Sequence, residues 1–172
     1  RVLFRSPEGS DKDAVLASVA GTEASREAVM DAQVPQTAAV SRTEAQCSVS
    51  YDGTPQFNPI SGTNLYYAIN TSSSVIKDGT TFYVCQNGIW FFGNTPNGPW
   101  AVSTKVPADV QKIPSSNPLH NTKYVYIYDS TPDVVYVGYT PGYVGCYIYG
   151  PTVVYGTGWY YPGWYGAQYY AY

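Results

Sequence analysis

At 172 residues the chain is long enough for one domain with a core of its own, or for one domain and an extended tail. Only 12% of the residues are charged while 16% are aromatic, and 19 are tyrosine, unlike disordered chains, which combine low hydrophobicity with high net charge. A net charge of −3 with singly scattered basic residues lacks the basic stripe of a nucleic-acid binder, and no apolar run approaches the ~18 residues of a membrane-spanning helix.

The opening Arg1-Val2-Leu3-Phe4-Arg5-Ser6 resembles a translated sequencing adapter, as at the ends of metagenomic contigs, and no fold expectation is built on it. Residues 7–46 then hold seven acidic and three basic residues with many alanines. Thr22 suits a helix N-cap, Glu23 and Glu27 favour the positive helix start, and Ala24, Ala28 and Ala32 repeat at helical spacing. Val34-Pro35 ends that helix, because the residue before proline is pushed toward extended geometry. Gln36 to Val40 reads as extended. So short a helix cannot make a core alone, so residues 1–46 are expected as an arm that leans on another surface.

Residues 47–155 are expected to be a β domain. Val49 and Tyr51 alternate with serine ahead of the turn pair Asp52-Gly53, and Leu65 to Ile69 is a short apolar run. Val75-Ile76 leads through Lys77-Asp78-Gly79 into Phe82 to Cys85. Asn87-Gly88, flanked by apolar runs, is the strongest hairpin signal, since Asn-Gly supplies the positive φ angles of a type I′ turn. Ile89 to Phe92 is the return strand, with Asn97 to Trp100 at the next corner. After Pro107, Pro114 and Pro118, the segments Lys123–Asp129 and Asp133–Tyr139 read as strands, apolar or amphipathic on both faces and therefore expected between layers. Residues 134–172 carry no Asp, Glu, Lys or Arg but 12 tyrosines, and residues 156–172 are expected as a Tyr/Gly/Pro-rich tail. The fold class predicted is mainly β, an antiparallel meander or sandwich with one short N-terminal helix.

Two stretches carry a family resemblance: Tyr51 to Ile60 (YDGTPQFNPI), and Phe82 to Phe91 (FYVCQNGIWF) with Gly98-Pro99-Trp100 after it. They resemble bacterial exported Tyr/Gly-rich proteins labelled by similarity as carbohydrate-binding family V/XII. The segments Ala24–Val40 and Val135–Tyr143 look like that group too, so the resemblance spans most of residues 15–165. It implies an exported protein and glycan binding through exposed rings, with Gly79, Tyr83, Trp90, Pro99 and Trp100 in the order of the small chitin- and cellulose-binding modules.

Reacting groups are scarce. Asp52, Asp78, Asp109, Asp129 and Asp133 are the carboxylates beyond the N-terminal part, and Asp52, Asp78 and Asp129 sit in turn signatures where Asp bonds to backbone. His120 is the only histidine and lies in a loop-like stretch, so no catalytic residue, metal ligand or cofactor is expected. Cys47, Cys85 and Cys146 are an odd number; Cys47 and Cys85, each in an expected strand, are the candidate disulfide pair.

The rings and the strand borders remain. The first expectation is a non-catalytic extracellular or cell-surface structural protein, a subunit of a fibre or matrix that partners itself by strand pairing and aromatic packing. Val34, Ala38, Val40, Tyr155 and Tyr160 are its candidate assembly residues. The alternative is a carbohydrate-binding module with a polysaccharide partner, stacking sugars on Trp100, Trp159, Tyr161 and Trp164. Trp90, in a strongly apolar strand, is expected in the core.

Overall fold

The computed structural model describes residues 15–16, 19–154 and 163–166. Helix α1 (Glu23–Asp31) begins where Thr22 Oγ1 accepts a hydrogen bond from Ser25 N–H at 3.0 Å, as the capping signal requires. The chain then turns extended into strand β1 (Gln36–Ser41). Next come β2 (Phe57–Pro59), β3 (Leu65–Ala68), β4 (Ser74–Asp78), β5 (Thr81–Gln86), β6 (Ile89–Gly93) and β7 (Ala101–Val102), which pair antiparallel in chain order as a six-stranded meander. The β5–β6 turn is Asn87-Gly88, with φ of 54° and 72°; its Asn-Gly sequence tolerates both positive angles.

Two short 3₁₀ turns, Val110–Lys112 and His120–Tyr124, lead to β8 (Val125–Ser130) and β9 (Val134–Tyr139). β9 is the centre of a second antiparallel sheet in the order β1-β9-β8. A hairpin of β10 (Tyr147–Tyr149) and β11 (Thr152–Val154) follows a further 3₁₀ turn. Helix α1 leans on this hairpin: Ser25 is fully buried and its Oγ donates to Pro151 C=O at 2.9 Å. The segment expected as an arm thus contributes one strand to the smaller sheet and one helix to the far end of the described chain. The protein is mainly β, and no helix among the described residues is long and apolar enough to cross a membrane.

Alternation along the meander divides its side chains between two clusters. Leu65, Ile76, Cys85 and Trp90 face one way and pack with Val110, Ile113, Leu119, Val125, Tyr139 and Tyr143. Ala68, Val75, Val84, Phe91 and Val102 face the other way and pack with Val40, Val135 and Val137 of the smaller sheet. The meander is covered on both faces, which is why β6 reads as an unbroken apolar run rather than an alternation.

Two expectations are corrected. The segment 47–51 alternates as predicted, with Cys47, Val49 and Tyr51 turned to the second cluster, but it runs over the sheet without pairing to a strand. Strands β8 and β9 do not lie between layers. Val125, Val135 and Val137 face the core, whereas Tyr128 and Tyr136 are 50% and 43% exposed on the opposite face.

An open strand edge and a tyrosine face as the candidate site

The outer face of the smaller sheet is built from residues that leave its surface flat and aromatic. On β1, Thr37 and Ala39 are exposed and small. On β9, Tyr136 stands opposite Ala39, and Gly138 opposite Thr37 and Tyr126. The β8–β9 register shifts between Ile127 and Asp129, so Tyr128 occupies a bulge, a device that re-aims a side chain. Its ring lies across Gly138, where an added Cβ would sit 2.7 Å from Tyr128 Cε2 and 2.6 Å from the Gln36 carbonyl oxygen. Only glycine permits that approach. The Tyr126 and Tyr128 rings stand 6.0 Å apart, tilted by 40°. Burial, and then the neighbouring Tyr126, push the Tyr128 hydroxyl above the usual tyrosine range.

Among the described residues, the four edges of the two larger sheets differ in how they are protected. β2 is three residues long and ends in Pro59; β7 has two residues. β8 is closed at Val125, whose carbonyl accepts the Trp90 indole N–H at 3.1 Å. β1 has six residues, no charge and no proline, and among the described residues it borders only β9. It carries none of the devices that normally blunt a strand edge.

Val34 is 58% exposed ahead of β1, and Ala38 is half-buried. Val40, expected as an assembly contact, is fully buried and packs in the second cluster, because its side chain points inward beside Val135 and Val137. Tyr155, Trp159, Tyr160 and Tyr161 lie outside the described residues. Trp164, expected to be an exposed platform, is half-buried instead. It packs on Gly88 and meets Tyr139 edge-on at 4.8 Å, where it covers the Asn87-Gly88 turn. Trp90 lies in the core, fully buried.

Trp100 is half-buried over Gly93 and Gly98, and its indole N–H is enclosed without a hydrogen-bond partner. It forms one wall of an open groove of about 500 Å³, lined also by Arg42, Gln46 and Asn97. Cys47 and Cys85 are free thiols that pack in different clusters, on opposite faces of the meander, and so do not form the expected bridge. Burial pushes the Cys47 thiol up to about 11 and raises that of Cys85 further. The carboxylates Asp78, Asp109 and Asp129 each accept a backbone N–H, from Ala108, Asn64 and Ser130. His120 Nδ1 lies 2.7 Å from the Ile113 carbonyl, which marks that nitrogen as the donor.

Sequence reasoning missed Tyr126, Tyr128 and Tyr136 as surface residues. The signal was present in β8, where Tyr126 alternates with Val125 and Ile127, but not in β9, where Tyr136 points out while Tyr139 shares the buried face of Val135 and Val137. No family model matches this chain, and neither a curated protein nor a solved structure matches it.

Proposed function

We propose that this chain is a non-catalytic structural protein of the cell surface or extracellular matrix, one that associates with itself through the β1 edge and the tyrosine face beside it. The observation that carries this reading is the combination on one sheet: an uncharged, unblunted border next to exposed rings. Open backbone groups supply direction, and tyrosine buries a large ring while its hydroxyl still finds a partner. Sedimentation velocity and negative-stain imaging of the purified chain test it. Oligomers or filaments growing with concentration are expected; a chain that stays monomeric at every concentration contradicts it.

A second reading, glycan binding, is favoured by the Trp100 groove, where one indole and the polar side chains of Arg42, Gln46 and Asn97 converge on an open surface. It accords with the carbohydrate-binding resemblance. In that case the folded monomer is retained on chitin or cellulose, and Trp100→Ala abolishes retention. Unchanged retention in the variant removes the groove from consideration.

A further inference from the structure

The backbone of β1 points in directions that its neighbours fix. Arg42 N–H donates to Asp133 C=O at 2.9 Å, and this pair continues the β1–β9 register one step past Ser41 opposite Val134. Opposed residues in an antiparallel ladder alternate between pairs that exchange hydrogen bonds and pairs that do not. The even-numbered residues of β1 therefore bond to β9, while Thr37, Ala39 and Ser41 turn their N–H and C=O groups to the open side. The Ser41 carbonyl is already taken by Ala45 N–H at 3.2 Å. Among the described residues no other backbone bond reaches that side.

We infer that a second copy of this chain completes the edge, β1 against β1 antiparallel, with Ala38 opposite Ala38 on a two-fold axis. The inference rests on the self-association reading above and names its seam. A two-fold axis normal to the sheet keeps both buried faces on one side, so opposed residues must both be odd or both be even. Two central registers satisfy this, one about Ala38 and one about Ala39.

About Ala38, Thr37 and Ala39 of the two copies exchange both of their hydrogen bonds, and Ser41 N–H donates to Pro35 C=O of the second copy. Proline has no N–H to offer in return, and the Ser41 carbonyl, filled by Ala45, needs none. The missing donor falls opposite the occupied acceptor. About Ala39, Thr37 falls opposite Ser41, and its N–H competes with Ala45 for one carbonyl. The Ala38 register leaves no group in excess.

Side chains agree with this choice. Arg42 falls opposite the exposed Val34, whose methyls its aliphatic stem can cover, and no like charges meet. The product is one continuous sheet, β8-β9-β1 joined to its copy, with Tyr126, Tyr128 and Tyr136 repeated along one face. Closed dimers of this kind present that face twice, which gives the extended assembly a second contact.

The test uses the full chain with Ala38→Cys or Ala39→Cys, mild oxidation and peptide mapping of the linked dimer. In the Ala38 register the two 38 positions form a non-hydrogen-bonded pair roughly 4.5 Å apart at Cα, within disulfide reach. The 39 positions are diagonal neighbours about 7–8 Å apart and should link poorly. Ala39→Pro removes an outward donor without removing a bond to β9, and is expected to weaken the dimer on the order of tenfold or more. Should that variant fail to fold, Ala39→Lys charges the seam while leaving the backbone intact. A 38–38 link with loss of the dimer in these variants supports the inference. Self-association that persists in them, or that yields no 38–38 link, overturns the seam but leaves assembly through another surface standing. A monomer under all conditions overturns both.

Discussion

Trp90 joins the two sheets through a single side chain. Its ring fills the first cluster and its N–H holds the Val125 carbonyl, so Trp90→Ala removes packing and orphans an acceptor together. A loss of about 3–5 kcal/mol is expected from denaturant unfolding, with the β8 border loosened. Tyr143 is a smaller instance: its hydroxyl accepts from Gly88 N–H and donates to Gly163 C=O, both at 3.0 Å. Tyr143→Phe should cost about 1–2 kcal/mol by the same measurement. Burial lifts Cys47 from 9.0 to about 11 and, with Cys47 beside it, Tyr51 from 10.0 to about 12. Folded values above the unfolded ones stabilise the fold below the unfolded pKa, and that contribution is lost as pH rises through the folded one. The urea midpoint is therefore expected to fall between pH 9 and pH 12, less steeply in Cys47→Ala. At this scale composition and context served for Trp90, whose neighbours are all apolar, but failed for Trp164. Nothing in a Tyr/Gly/Pro-rich stretch reveals that a distant Gly88 offers the indole a seat.

Elements with local causes were legible. Thr22 caps α1, Asn87-Gly88 turns β5 into β6, and the extended stretch after Pro35 became β1. Alternation alone misled at 47–51, where the inward residues pack but no strand lies alongside, because period two reports a buried face and not a partner. It misled again at β8 and β9: hydroxyl-tipped rings count as apolar although one side of the sheet is open. Gly138 is the element-scale test of the tyrosine face. A methyl group there meets the Gln36 carbonyl oxygen at 2.6 Å, which is backbone and cannot swing aside. Gly138→Ala should destabilise the chain by about 1–3 kcal/mol, displace Tyr128, and reduce association beyond what the stability loss explains. Equal association at equal folded concentration removes the tyrosine face from the assembly.

For the whole molecule, low charge sets the terms. With a net charge of −3 and no charged residue in β1 or β9, long-range repulsion between copies is weak. Association through backbone groups and rings should change little with salt, unlike contacts made by ion pairs; a steep fall in high salt would point to a charged surface instead. The most direct measurement is amide hydrogen exchange along β1, residue by residue, as protein concentration rises. In the dilute monomer, Ala38 and Val40 are expected to be protected by β9 while Thr37, Ala39 and Ser41 exchange freely. On concentration these three amides should become protected to the level of their neighbours. If they exchange freely in the concentrated protein, the open edge of β1 is not where copies of this chain meet.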